Sequence, residues 1–216
     1  MNNKMKKFNS QEEMNKYSIE IIEDELRKKK TLSIGFSGGK TPISFFKLLS
    51  LDTNIDWSRI NVFLVDERWV PFTHEDSNFG MIKRTLFDKI SIPQENVHRI
   101  PYFNTPKESL LKYQKDLKKF FGTNIVFDLL FLGIGSDGHT ASIFELEEGL
   151  KDDDVIFTHS ERHPHLRISL GMKVINLAKR KIFLLGPEKL ELLEEPLDTN
   201  LPFTLVEDPE FLYYTK

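Results

Sequence analysis

The sequence predicts an α/β protein whose mostly parallel sheet carries helices on both faces. Short apolar segments, such as TLSIGF (31–36) and FDLLFLGIG (127–135), alternate along the chain with segments of helical periodicity. Their continuous apolar character is typical of strands that are buried on both faces. No Pro-, Gly- or Ser-rich linker divides the 216 residues. We therefore predict a single domain that spans residues 1–216.

The first elements follow from capping signals and periodicity. Ser10 and Glu13 form a capping-box pattern, and apolar residues at helical spacing extend this helix over 10–30. The apolar strand follows, and Pro42 starts a second helix that reaches about Ser50. This order of strand, loop and helix is the repeating unit of a parallel sheet.

The remaining elements are assigned in the same way. NVFLVDER (61–68) is a second strand, and Ser77 and Asn78 can cap the helix FGMIKRTLF. Further along, the patterns predict a helix over 108–121, the strand FDLLFLGIG, a short helix at about 140–144, an acidic loop over 145–154, the strands DVIFTH and HLRISL, the helix LGMKVINLAK, the strand KIFLLG and a short helix EKLELLEE. The tail LPFTLVEDPEFLYYTK has no clear pattern.

Composition excludes several classes of function. A formal net charge of −3 argues against a general nucleic-acid binder, which needs a basic face, and we interpret the lysines at 4–7 and 28–30 as a solvated terminus and a helix C-terminus. The chain has no cysteine, which excludes disulfides, thiol nucleophiles and cysteine metal sites. It also has no signal-peptide pattern and no apolar segment near the roughly 20 residues of a membrane helix. We expect a cytoplasmic protein that binds neither nucleic acid nor membranes.

Three polar loops follow strands of the predicted sheet. They are SGGKTP (37–42), DERWVPFTHEDSN (66–78) and GIGSDGHTAS (133–142). Ligands of such sheets bind outside the carboxyl ends of the strands, which lie at one edge when the strands are parallel. We therefore expect the three loops to converge on one ligand site.

The first loop combines glycines, a cation and hydroxyl groups ahead of a helix N-terminus. Gly38 and Gly39 let backbone N–H groups approach an anion, and Ser37, Lys40 and Thr41 add donors. Its spacing matches neither a Walker loop nor the dinucleotide fingerprint. The loop is a candidate for binding phosphate or sugar, and a plain strand-to-helix turn is the alternative.

Cations at three places could bind a phosphate. Arg68 could hold phosphate as a fork or stabilise an oxyanion, with Asp66 or Glu67 keeping it in place. The alternative for this trio is a local ion pair on a solvated loop. Arg167 and Lys189 are further candidate cations, and each fits a surface position equally well.

The third loop has the strongest catalytic pattern. His139 has an ordinary pKa of about 6.5, which suits proton transfer at neutral pH. Asp137 can orient the imidazole and stabilise its protonated form. His159, His163 and His165 do not match a recognised zinc spacing, so we interpret them as part of a polar loop and expect no metal site.

The three loops together resemble those of the 6-phosphogluconolactonases, a group related to the glucosamine-6-phosphate deaminases. SGGKTP, DERWVP with the later DSN, and GIGSDGHTASIF carry the resemblance, and LRISLGMKVINLAK and IFLLGPEK match more weakly. The matches occur in the family's order along nearly the whole chain.

The resemblance implies a Rossmann-like sheet of the sugar-phosphate isomerase type. It also implies hydrolysis of the δ-lactone of 6-phosphogluconate in the pentose phosphate pathway, without an organic cofactor. It makes His139 the base, places Asp137 beside it and puts Arg68 on the wall of the site. The residues it implies for binding the sugar-phosphate lactone are Ser37, Gly38, Gly39, Arg167 and Lys189. We expect a monomer or a small homo-oligomer.

Departures from the family patterns bear on the alternatives. The lactonase loop usually continues as SLFPG, but this chain has SIFEL at 142–146, and Lys40 replaces a frequent serine. Deaminases show DEY where this chain has DER at 66–68, and AFNEP where it has TASIF at 140–144. Both differences favour a lactonase. A glucosamine-6-phosphate deaminase or isomerase, or a sugar-phosphate-binding regulator without turnover, remain as alternatives.

Overall fold

The structure is a computed structural model that describes residues 4–193 and 200–215. The α-helices of this part of the chain are α1 (Gln11–Lys28), α2 (Pro42–Leu49), α3 (Asn78–Thr85), α4 (Pro106–Phe121), α5 (Leu146–Gly149) and α6 (Met172–Leu177). The strands are β1 (Lys4–Phe8), β2 (Leu32–Phe36), β3 (Ile60–Leu64), β4 (Asp66–Arg68), β5 (Val97–His98), β6 (Leu129–Leu132), β7 (Val155–Thr158), β8 (Arg167–Leu170), β9 (Arg180–Leu185) and β10 (Glu210–Tyr214). Short 3-10 helices lie at Trp57–Arg59, Phe87–Lys89, Gln94–Asn96, Pro187–Leu193 and Pro202–Leu205.

Seven of these strands form a wholly parallel sheet. Their order is β1-β10-β9-β6-β2-β3-β5. The other three, in the order β4-β8-β7, form a small antiparallel sheet. The predicted α/β class with a mostly parallel sheet is confirmed. The connections between parallel strands bring the loops after β2 and β6 to the same edge, since these two strands are neighbours.

Aromatic packing fixes the loop after β2. Phe36 at the end of β2 contacts Phe45 and Phe46 of α2 and Phe131 of β6, with ring centroids 5.1–6.1 Å apart. All four rings are buried, and full burial of a phenylalanine stabilises a fold by about 1.5–3 kcal/mol. The loop at 37–41 is therefore held at both ends by well-packed elements.

We expected the charged residues 66–68 to end the second strand, but they form a separate strand, β4. β4 pairs antiparallel with β8, and both Asp66 and Glu67 are only 5% exposed. The alternative of a solvated loop is wrong for these two carboxylates. The change of direction after β3 occurs because Val65 N donates to Phe36 O while Leu170 N donates to Val65 O.

The expected short helix at 140–144 is also wrong. Thr140 forms isolated β-bridges with Ile134 and Ile143, and Ala141 has a φ of +52°, which no α-helix accommodates. The helix of this region, α5, begins only after Glu145, whose capping box with Glu148 sets its start.

The ends of the chain contain two strands that the sequence did not predict. Lys4–Phe8 forms β1, which pairs in parallel with β10 of the tail, although the lysine side chains of β1 are exposed. The helix EKLELLEE corresponds to the 3-10 helix Pro187–Leu193, and its last two residues lie outside the described residues. No helix in the described part of the chain has the length and apolar character that a bilayer crossing requires.

Candidate active site

A cavity of about 360 Å³ opens where the three polar loops meet. Its lining includes all but one of the residues that the sequence suggested for the site, namely Ser37, Gly38, Gly39, Lys40, Thr41, Arg68, His139, Arg167 and Lys189. The exception is Asp137, which lies behind His139 and contacts its ring. The three loops therefore converge as expected.

A hydrogen bond between Asp137 and His139 forms the centre of the third loop. Nδ1 of His139 lies 2.5 Å from Oδ1 of Asp137. An ionised carboxylate only accepts hydrogen bonds, so the bond assigns the proton to Nδ1 and leaves the lone pair on Nε2. The loop is closed around this pair because Gly135 N donates to the carbonyl of His139 at 2.8 Å.

The charges of this pair suit a general base. Burial lowers the pKa of His139, although Asp137 acts in the opposite direction. Burial of Asp137 would raise its own pKa, but hydrogen bonds from His139 and His163 outweigh it and hold the pKa at about 2. At neutral pH the pair is therefore a carboxylate beside a neutral imidazole, which is the state that accepts a proton.

Arg68 and Arg167 face each other across the small sheet. They are register partners in the antiparallel pair of β4 and β8, where like charges directly opposite destabilise the sheet. Neither guanidinium forms an ion pair among the described residues, and the Nε atoms of both are buried without a hydrogen-bond partner. Burial and the neighbouring Arg68 lower the pKa of Arg167. An anion bound between the two guanidinium groups would offset their repulsion.

The first loop adds donors to the same cavity. Ser37 Oγ is buried without a partner, although the backbone N–H of Ser37 donates to Phe131 O. Gly39 has a φ of +109°, which favours glycine at this turn. Thr41 makes no side-chain capping bond at the start of α2, so the positive end of this helix is not neutralised by a cap.

The sequence suggested that Asp66 or Glu67 holds the Arg68 side chain in place, but neither carboxylate pairs with its guanidinium. Glu67 instead accepts four hydrogen bonds, from the backbone N–H groups of Arg68, Asn78 and Phe79 and from Ser77 Oγ. Asp66 accepts a bond of 2.6 Å from Ser142 Oγ of the histidine loop. The Arg68 guanidinium donates to the backbone carbonyl of Asp76. Glu67 thus joins β4 to the start of α3, and Asp66 joins β4 to the histidine loop.

The comparisons with known proteins decide the family. The sequence profile of the family described as glucosamine-6-phosphate isomerases/6-phosphogluconolactonase matches residues 6–213. The chain is 36% identical over 192 residues to the 6-phosphogluconolactonase of Thermotoga maritima, covering 88% of this chain and 86% of that protein. It is 38% identical over 179 residues to the enzyme of that name from Haemophilus influenzae, covering 79% and 76%. The chain belongs to the glucosamine-6-phosphate isomerase/6-phosphogluconolactonase family.

The fold of this family member agrees with solved structures. The crystal structure of the Thermotoga maritima 6-phosphogluconolactonase superposes with a TM-score of 0.89 and 32% identity, covering 99% of this chain and 100% of that one. A monomeric glucosamine-6-phosphate deaminase superposes with a TM-score of 0.81 at 17% identity. At this identity, the second likeness is evidence of a shared fold and of nothing more.

Sequence reasoning missed the positions of two histidines in this member of the family. His163 Nε2 lies 3.3 Å from Asp137 Oδ2, and His165 Nε2 lies 2.8 Å from Asp76 Oδ2. The sequence predicts only a polar loop for both histidines, because their spacing gives no signal of these partners. Two groups of side chains thus have ligand atoms close enough to hold a metal ion: Asp137, His139 and His163, and His74, Asp76 and His165.

Proposed function

We propose that this protein hydrolyses 6-phosphoglucono-δ-lactone to 6-phosphogluconate, with His139 as the general base. The observation that carries the proposal is the hydrogen bond of 2.5 Å between Asp137 and His139 at a cavity that also contains the Arg68–Arg167 pair. A base and an anion site in one cavity suit an uncharged ester group that is joined to a phosphate. The names of the similar proteins support the same reaction.

The substrate phosphate binds to the cations of the cavity. Arg68 and Arg167 are its main partners, because an anion between them removes their mutual repulsion. Ser37 Oγ, Lys40 and Lys189 are additional donors at the cavity wall. Anchoring the phosphate at one end of the substrate positions the lactone carbonyl at the other end beside His139.

The chemical step is addition of water to the lactone carbonyl. Nε2 of His139 takes a proton from the water as its oxygen bonds to C1, and Asp137 stabilises the imidazolium. A donor on the cavity wall offsets the charge that develops on the carbonyl oxygen. The tetrahedral intermediate then collapses, the bond from C1 to the ring oxygen breaks, and the imidazolium returns its proton to that oxygen. The acid released ionises to a carboxylate and a proton.

The size of the required acceleration is consistent with a single base. Such lactones open slowly without a catalyst, and a positioned general base contributes about 10²–10⁴-fold. Binding and orientation of the phosphate add to this factor. The proposed mechanism therefore uses Asp137 and the groups that line the cavity.

Proton release tests this function directly. The lactone is generated in place by oxidation of glucose 6-phosphate, and its opening is followed with wild type, His139→Ala and no protein. We expect acceleration by wild type and a kcat at least about 10²-fold lower for the variant, with similar substrate affinity. Wild type that matches the blank would overturn the function. Near-normal turnover by the variant would overturn only the assignment of the base.

The same protein should be tested against the two alternatives. Release of ammonia from glucosamine 6-phosphate would indicate the deaminase reaction. Binding of 6-phosphogluconate by a protein that does not accelerate opening of the lactone would indicate a regulator, although such a protein has no need of the Asp137–His139 pair. We further propose that the protein acts in the cytoplasm, where its lactone would be formed, as a monomer or small homo-oligomer. Light scattering of the purified protein tests the oligomeric state.

A further inference from the structure

His163 reaches the candidate catalytic pair from a different segment of the chain. It lies on the loop between β7 and β8, next to Pro164, and its side chain is 27% exposed. Its ring stacks on Phe144 at 4.8 Å with an interplanar angle of 27°. The same ring meets that of His139 edge-on at 5.1 Å. Two ring contacts therefore hold His163 in one orientation.

This orientation gives Asp137 a second hydrogen bond. Oδ1 accepts from Nδ1 of His139 and, at 3.5 Å, from the backbone N–H of the same residue, whereas Oδ2 lies 3.3 Å from Nε2 of His163. The terminal torsion of an aspartate has a broad minimum, so bonds to one oxygen alone leave the carboxylate free to rotate about that torsion. Donors on both oxygens fix the plane of the carboxylate, and with it the direction in which Nε2 of His139 points.

We propose that His163 is a positioning residue for the Asp137–His139 pair. It touches neither the water nor the lactone and acts through Asp137, and the proposal rests on the function assigned to His139 above. Nothing in the role of general base requires a second histidine on the carboxylate, so the contribution of His163 is separable from that of His139.

The charged groups around His163 determine how its removal would change the pKa values of Asp137 and His139. Asp137 and His139 face it from the histidine loop, Arg167 of β8 lies 5.9 Å from the Phe144 ring on which it stacks, and Asp66 of β4 acts on His139. Proximity of His163 contributes to lowering the pKa of His139, and its hydrogen bond contributes to lowering that of Asp137. We therefore expect both pKa values to rise without His163, while Oδ2 of Asp137 loses its hydrogen bond.

Two substitutions separate the hydrogen bond from the ring. His163→Phe keeps a ring to stack on Phe144 but removes the donor, and His163→Gln replaces the ring but can place an amide N–H near the position of Nε2. His159→Gln is the matched control, because His159 lies on the same segment and is exposed. For each protein, kcat and KM for the lactone are measured across pH, and the His139 ring is titrated by NMR without substrate.

We expect His163→Phe to lower kcat about tenfold, the effect of one hydrogen bond to a charged group, with little change in KM. The pKa of His139 and the acid limb of the rate profile should move to higher pH, and His163→Gln should recover most of kcat. A merely structural role would not distinguish the two variants, because both remove the imidazole that acts directly on His139 and only glutamine can still donate to Asp137.

Other results would overturn the proposal. One is that His163→Phe has the kcat and the His139 titration of wild type. Another is that His163→Phe and His163→Gln lose kcat equally, and a third is that the His159→Gln control shows the same effects. The NMR titration needs no turnover, so it tests the link between His163 and His139 even if wild type lacks lactonase activity. Absence of activity in wild type would contradict the proposed function, whereas an unchanged His139 titration would contradict this inference.

Discussion

Gly135 lies so close to His139 that no side chain fits between them. A Cβ built on Gly135 would stand 2.1 Å from both Nδ1 and Cε1 of the His139 ring and 2.7 Å from Asp137 Oδ1. Non-bonded contacts this short are essentially never made by real Cβ atoms, and all three contacted atoms belong to the candidate catalytic pair. The φ angle of Gly135 is not in the left-handed region, so its backbone conformation does not require glycine. The closeness of the His139 ring is what requires it.

Substitution of this glycine should damage activity more than stability. Gly135→Ala must push the imidazole away from Asp137, and we expect kcat to fall about 10²-fold or more, as for loss of a positioned base. Gly133→Ala is the matched control, since a Cβ there meets no atom within 4 Å. Steady-state kinetics and thermal unfolding of both variants check the prediction. Equal kcat values in the two alanine variants would contradict it.

Removing the charge of Asp137 should change both rate and pH dependence. Asp137→Asn can still accept a hydrogen bond from Nδ1, but it cannot stabilise the imidazolium, so we expect kcat to fall about 10²-fold or more. The base must be neutral, so kcat/KM falls as pH drops through the pKa of His139, which burial sets below its usual value. Since Asp137 raises that pKa, its loss should move the acid limb to still lower pH.

A pH–rate profile measures this shift. Asp153→Asn is the control, because Asp153 is an exposed carboxylate of the acidic loop. An acid limb that stays in place or moves to higher pH in Asp137→Asn would contradict the assigned coupling between the two residues.

The order of the parallel elements could be predicted because local signals determine it. The capping oxygen of Ser10 accepts from Glu13 N, and Ser77 caps α3 through Gly80 N, as the capping patterns predict. β4 could not be predicted, because its two buried carboxylates are stabilised mainly by donors of other elements, which periodicity does not reveal. Ser142 is one such donor, and it lies 76 positions from Asp66. Periodicity assigns charged residues to solvent when such partners are unknown.

The candidate site shows the same division. The glycine-rich loops and His139 were predicted, because strand ends in a parallel sheet converge by topology. The contact of His163 with Asp137 was not, since it depends on how the segment before β8 folds back over the histidine loop. Similarly, the register that places Arg68 opposite Arg167 follows from an antiparallel pairing for which neither strand carries a sequence signal.

The Arg68–Arg167 pair predicts opposite effects on stability and binding. Arg167→Met removes a buried guanidinium that forms no direct ion pair among the described residues, and we expect the ligand-free protein to unfold at a higher temperature. The same change removes an anion partner, and KM should rise at least about tenfold. Inorganic phosphate should raise the melting temperature of wild type, and it should raise that of Arg167→Met by a smaller amount. A lower melting temperature together with an unchanged KM would contradict this prediction.

Glu67 provides a test of how the site is held together. Both carboxylate oxygens of Glu67 accept hydrogen bonds from the four donors around them. A glutamine at this position would direct its NH₂ group at a backbone N–H of Arg68, Asn78 or Phe79. We therefore expect Glu67→Gln to lower the free energy of unfolding by about 1–3 kcal/mol, the cost of unsatisfied buried donors. Glu147→Gln, at an exposed position of α5, is the control.

The loss in Glu67→Gln should also depend on pH. Burial raises the pKa of Glu67 from 4.5 to about 7, despite its hydrogen bonds. A carboxyl group whose pKa is higher in the folded state binds its proton more tightly there, so it contributes stability below about pH 4.5 and loses that contribution as pH rises through about 7. Glutamine does not titrate. The difference in unfolding free energy between wild type and variant should therefore be largest at acidic pH and shrink towards pH 7, as denaturant unfolding at several pH values would measure. A difference that grows with pH would show that the four donors outweigh burial and hold Glu67 ionised.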